Sequence, residues 1–265
     1  AIVCAGLSVQ EAAAAKRVAL VIGNGAYEKG PLRNPANDAQ DMAESLRQLG
    51  FEVLKRENAD QRTMEEAIRD FGKRLTPGSV GLFYYSGHGM QVEGRNYLIP
   101  VDARIETASD VKFEAVDAGR VLGKMEDAGN DLNIVVLDAC RDNPFAKSFR
   151  SESRGLARMD APSGSLIAYA TAPGEVAADG SGRNGTYTKH LLRHLQTPGL
   201  PIEHLLKKVR VDVTRETFEQ QVPWESSSLR GDFYFMPKEQ VAATAAPPEK
   251  AREEHPPRSD REALF

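Results

Sequence analysis

The chain has 265 residues, a formal net charge of −4 and an ordinary hydrophobic share of 41%, which suits one globular domain with appendages and a core that needs no disulfide staples. Only two cysteines are present, Cys4 and Cys140, which excludes a disulfide framework and a zinc ribbon. No long basic run, no interleaving of aromatic with basic residues and no long apolar stretch occurs, so nothing points to nucleic acid, a polybasic membrane patch or a transmembrane span.

The first 15 residues are apolar through Val9, then Gln10, Glu11 and alanines to Ala15. They read as the end of a secretory signal, which predicts export to a periplasm or the exterior, and a cytoplasmic protein if the segment is not a signal. Residues 16–236 alternate short apolar runs with amphipathic stretches. Arg17–Ile22 reads as a buried strand ending in the turn Gly23-Asn24-Gly25. The apolar spacing predicts a helix over Asn37–Leu49, stopped by Gly50, and a strand over Phe51–Leu54. A second helix follows over Thr63–Leu75, with Thr63 and Glu66 as its capping box. Val80–Tyr85 is a third strand, leading into Ser86-Gly87-His88-Gly89. Glu93-Gly94 predicts a hairpin turn. A helix over Val116–Ala128 precedes the strand Leu132–Leu137, which leads into Asp138-Ala139-Cys140. Leu166–Ala170 is a fifth strand, helices fall near Thr186–Leu195 and Ile202–Phe218, and Asp232–Phe235 is expected to close the sheet. Residues 237–265 are rich in Ala, Pro and charge and read as a solvated tail or linker.

This alternation predicts an α/β domain with a mostly parallel sheet. In such sheets ligands bind beyond the carboxyl ends of the strands, where Asn24, His88 and Cys140 all fall. Free cysteines are commonly small buried hydrophobes, and a histidine between glycines is at its simplest a loop residue. The charged neighbours of Cys140 (Asp138, Arg141 and Asp142) favour an accessible thiol instead. A cysteine and a histidine from two strand ends make a nucleophile and base for acyl transfer, with the backbone N–H groups of Gly89 and Cys140 as oxyanion donors. The other histidines lie in predicted helices or the tail and read as surface or packing residues. Gly23-Asn24-Gly25 offers a rival reading as a nucleotide-binding turn, but it lacks the spacings of the phosphate-cradling motifs.

Tyr84–Gly89 and Leu137–Arg141, taken with Val21–Asn24, Asn34–Asp38 and Ile99–Asp102 in that order, resemble the motifs of caspase-like cysteine peptidases. The separation of His88 from Cys140 suits the caspase pattern, in which the histidine lies about 50 residues upstream. The resemblance covers Arg17–Phe235. It implies a three-layer sandwich, with a six-stranded sheet flanked by helices and its last strand antiparallel. The sequence departs from animal caspases at Asp138-Ala139-Cys140-Arg141-Asp142 and looks like the metacaspase and paracaspase branches. There, acids take the place of the arginines that select aspartate. The resemblance thus implies cleavage after Arg or Lys, with Asp38, Asp138 and Glu175, on the loop after the fifth strand, binding the basic side chain. Asp138 cannot promote ionisation of a neighbouring thiol, since like charges oppose it, so a cation-binding role suits it. The plainer readings are a helix-dipole charge for Asp38 and a turn residue for Asp138. Asp41 and Glu44 read as helix-dipole charges.

Lys147, Arg150, Arg154 and Arg158 in the stretch 141–164 suggest self-cleavage, against the plainer reading of a solvated basic loop. No cofactor is implied. Some metacaspases need calcium, but no EF-hand-like loop occurs. The implied partners are peptide substrates and, in a dimer, a second copy through the last strand. A catalytically silent caspase-like adaptor is the main alternative. Trp224, in Pro223-Trp224-Glu225, reads as lining the substrate cleft or, more simply, as packing against the sheet.

Overall fold

A computed structural model describes residues 15–140, 155–173, 175, 177, 180 and 182–238, with Cys140 placed by its backbone. The predicted leader, the basic residues Lys147, Arg150 and Arg154, and nearly all of the tail lie outside the described residues.

The strands β1 (Arg17–Gly23), β2 (Glu52–Glu57), β3 (Val80–Val92), β6 (Leu132–Cys140), β7 (Ser165–Tyr169) and β8 (Trp224–Ser227) form one sheet in the order β2-β1-β3-β6-β7-β8. All neighbours on this path are parallel except β7 and β8. Two short strands, β4 (Arg95–Leu98) and β5 (Val116–Asp117), are antiparallel additions at the far end of β3.

Side chains alternate across this sheet, and the two faces have separate cores. Ala19, Val21, Leu82, Tyr84, Ile134 and Val136 pack under α1 (Pro35–Gln48), α5 (Thr186–Leu195) and α6 (Ile202–Glu216). Val18, Leu20, Ile22, Phe83, Tyr85, Val135 and Leu137 pack under α2 (Gln61–Arg74) and α4 (Gly119–Asp127). Near-continuous apolar strands are what a sheet covered on both sides requires. The result is the expected three-layer α/β sandwich, and six strands lie on the main path.

Four expectations are corrected. The cap of α2 is Asp60, whose Oδ1 accepts the Thr63 N–H at 2.7 Å, so the helix starts a turn earlier than a Thr63 box would place it. Of the helix expected over Val116–Ala128 only α4 forms, with Val116 and Asp117 in β5 and the single turn α3 (Val111–Glu114) ahead of them. The antiparallel strand at the sheet edge is β8, whereas Asp232–Phe235 contributes only a bridge from Tyr234 to Pro201. Phe233 and Phe235 face inward into the core of the α1 side. Trp224 lies on that edge strand and is 41% exposed rather than packed.

Candidate active site

β3 continues through Ser86, Gly87, His88 and Gly89 as regular strand, where the sequence suggested that the strand ends at Tyr85. It leaves the main sheet as one arm of a hairpin with β4, and Glu93 and Gly94 form the expected turn between them. Glycine is needed on both sides of His88 for space. A Cβ on Gly87 would lie 2.7 Å from the Tyr85 hydroxyl and 2.8 Å from that of Tyr27. One on Gly89 would meet the Ala139 Cβ at 2.9 Å and Leu156 at 3.1 Å. The glycines therefore let protein pack tightly around the strand.

His88 is 1% exposed. Its Nε2 lies 2.6 Å from the carbonyl oxygen of Gly30. A carbonyl only accepts, so Nε2 carries the proton and Nδ1 is the basic nitrogen of the neutral ring. Tyr27 packs on the imidazole at a centroid separation of 4.4 Å, and its hydroxyl accepts the His88 backbone N–H at 3.0 Å. The Tyr85 hydroxyl donates to the His88 carbonyl at 2.7 Å. Ring and backbone are thus held by separate contacts. A cavity of about 490 Å³ opens beyond Tyr27, lined also by Glu28, Lys29, Asp102 and Arg104.

β6 lies beside β3 in register. Ser86 pairs with Asp138, Gly87 with Ala139 and His88 with Cys140. The two predicted reactive positions are therefore neighbours across adjacent strands, one strand spacing of about 4.8 Å apart in backbone.

Asp38 and Asp138, from α1 and β6, are 1% and 4% exposed. Asp38 Oδ2 accepts from Ser86 Oγ at 3.0 Å, and Oδ1 from the backbone N–H of Gly185 at 3.0 Å. Gly185 is the N-cap residue of α5, so Asp38 meets the positive end of a helix other than its own. Asp138 Oδ2 accepts from the Thr188 hydroxyl at 2.6 Å. That hydroxyl spends its one proton there, so the bond between Tyr84 and Thr188 has Tyr84 as donor. Burial, with the fields of Asp38 and Asp138, pushes the Tyr84 phenol well above its ordinary range and keeps it protonated.

Glu175 lies on the loop after β7 with its side chain exposed, and its backbone N–H donates to the Ala172 carbonyl at 3.0 Å. Asn24 is wholly buried and structural: its amide donates to Ala59 and Ile99 carbonyls and its oxygen accepts the Ala59 N–H. That use argues against the nucleotide-binding turn. Gly30, Ser86, Gly185 and Thr188 carried no signal of their own in the sequence as partners of the site.

A family model described as Caspase domain matches residues 16–234. The human mucosa-associated lymphoid tissue lymphoma translocation protein 1 is 34% identical over 126 residues, 47% of this chain and 15% of that protein. Its mouse homolog matches to the same extent. Caspase a of Danio rerio is 32% identical over 68 residues, 25% of this chain and 18% of that protein. The alignments thus span less than a fifth of each of these relatives.

Proposed function

Because the chain belongs to the caspase-domain family, we propose that it is a cysteine endopeptidase cutting after arginine or lysine, with Cys140 as nucleophile and His88 as base. The observation that carries the specificity is the pair of buried carboxylates, Asp38 and Asp138, beside the paired positions of His88 and Cys140. Buried carboxylates oriented by neutral donors form a receptor for a guanidinium or ammonium group. Glu175, exposed on its loop, would add to the pocket only from the rim.

In this reading His88 takes the thiol proton, and the Cys140 thiolate attacks the scissile carbonyl carbon. The N–H groups of Gly89 and Cys140 stabilise the oxyanion of the tetrahedral intermediate. His88 then protonates the departing amine as the C–N bond breaks, leaving a thioester. Water, deprotonated by His88, attacks that thioester, and the acid product leaves as the thiol is re-formed. The Gly30 carbonyl stabilises the transient imidazolium and keeps Nδ1 as the working nitrogen.

Matched fluorogenic peptides ending in Arg, Lys or Asp, given to wild type and Cys140→Ala, test the proposal. Turnover of the basic peptides alone, lost in the variant, is the expected result. Turnover of the Asp peptide would keep the dyad and overturn the roles of Asp38 and Asp138. Inactivity toward all three, with and without calcium, would favour the silent adaptor. Self-cleavage in the stretch 141–164 is part of the same proposal, with Arg158 exposed there. A new N-terminus in this stretch, seen by mass in wild type and absent from Cys140→Ala, is its signature.

A further inference from the structure

Beside the two buried acids lies a third carboxylate that already holds a cation. Asp41 follows Asp38 on α1 by three residues, so the two share a helix face with Cβ atoms about 5–6 Å apart. Arg183 Nε donates to Asp41 Oδ2 at 2.9 Å and its Nη2 to Oδ1 at 2.8 Å. Asn184 adds an amide bond at 2.9 Å. The Arg183 hydrogen bonds hold the Asp41 carboxyl below its ordinary range, against the opposing effect of burial. Asp41 is therefore engaged across the fold, not simply a helix-dipole charge.

The backbone at Arg183 is pinned independently of its side chain. Asn37 Nδ2 donates to the Arg183 carbonyl at 3.1 Å, and the Gly185 N–H donates to Asp38. The root of this arginine thus stays within two residues of the acid pocket. Its side chain, 61% exposed, is turned toward Asp41, and the field of Glu44 on the same helix also favours its charge. A pocket suited to a guanidinium has one from its own chain at the rim.

Resting on the acid-pocket reading above, we propose that Asp41 is a specificity-determining residue that holds Arg183 away from Asp38 and Asp138, so that this arginine does not compete with the substrate's basic side chain for them. The planar two-point pair suits this role, because it fixes the direction of the guanidinium as well as its charge. Glu44 acts in the same sense from further along α1. Without these two acids, Asp38 is the next carboxylate on that face, and Arg183 becomes an internal competitor of the substrate.

Four proteins test this: wild type, Arg183→Ala, Asp41→Ala/Glu44→Ala, and the triple variant adding Arg183→Ala to that pair. If the freed arginine leaves the pocket open in about a tenth of the molecules, KM for an Arg-ended peptide rises about tenfold. The expected kcat is within about twofold of wild type, since the reacting groups are untouched. Arg183→Ala keeps the wild-type KM, and the triple variant recovers it. A triple variant with KM still raised, or a raised KM in Arg183→Ala alone, would show that the contact is only a brace and overturn the proposal. If wild type turns over no basic-ended peptide, the peptidase reading fails separately. Benzamidine binding by calorimetry then reads the same pattern in Kd across the four proteins. A wild type and Arg183→Ala both blind to benzamidine would overturn the proposal together with the pocket.

Discussion

At Thr188 one hydroxyl joins two elements of the site. It donates to Asp138 and accepts from Tyr84, a phenol that burial keeps protonated. Thr188→Val keeps the shape and removes the relay, taking the Thr188 hydrogen bond from Asp138 in the proposed pocket. A lost hydrogen bond to a charged group is worth about 1.5–3 kcal/mol. The expected outcome is a KM for Arg-ended peptides raised at least about tenfold, with kcat much less affected. Steady-state kinetics checks it, and an equal fall in kcat would place Thr188 in the chemistry instead. His88, Asp138 and Cys140 were legible in the sequence because each closes or follows an apolar run, where a polar residue needs a purpose. Thr188 and the Gly30 carbonyl were not. One is an ordinary helix residue brought across by tertiary packing, and the other acts through a backbone atom that every residue carries.

At the scale of elements, β3 shows what apolar periodicity misses. The strand continues past Tyr85 because Gly87 and Gly89 allow the hydroxyls of Tyr27 and Tyr85 and the side chains of Ala139 and Leu156 to close around it. These are tertiary contacts with no local pattern. Gly89→Ala inserts a methyl group into that packing and should cost about 1–3 kcal/mol, seen as a lower urea midpoint, with activity falling as the His88 strand shifts. β8 was missed because Trp-Glu-Ser-Ser is short and mostly polar, while the aromatic alternation at 232–235 imitates a half-buried strand. The pairing of α5 with α6 was also hidden. His190 and His194 on α5 contact Asp212 and Glu216 on α6, and Lys189 joins Glu216. The His194 hydrogen bond holds Asp212 below the ordinary carboxylate range, and Lys189 does the same for Glu216. Carboxylates lowered by folding stabilise above their unfolded value of about 4 and lose that contribution as pH falls through the lower folded value. Asp212→Asn should therefore be less stable than wild type at pH 7 by up to about 1 kcal/mol, and the gap should be smaller at pH 3, below the unfolded value of about 4. Urea unfolding at both pH values measures this, and an equal gap at each would assign the loss to packing.

Across the whole molecule the two ends of the domain are tied through one side chain. Arg17, at the start of β1, places its guanidinium 5.6 Å from the ring centre of Phe51 and 5.3 Å from that of Phe233. It donates to the carbonyls of Leu49 at 3.2 Å, Phe235 at 2.9 Å and Tyr234 at 3.2 Å. The segment around Phe233 forms almost no strand pairing, so this clasp, the burial of Phe233 and Phe235 in the α1-side core and the backbone bonds from Ile202 to Phe233 and from Gly199 to Met236 fasten it. Partial burial lowers the Arg17 pKa from its usual value, but an arginine stays charged through the working range. Arg17→Ala removes the cation between the rings and three donors, and should cost about 2–4 kcal/mol. Arg17→Lys should recover only part, because an ammonium cannot lie flat between two rings while reaching carbonyls on both sides. The cause is separable by a cycle with Phe233→Leu, which keeps the apolar fill but removes the ring. If the clasp is one unit, the double variant loses less stability than the sum of the singles. Strict additivity in urea midpoints would mean that the two ends are held independently, with Arg17 serving only its neighbours on β1.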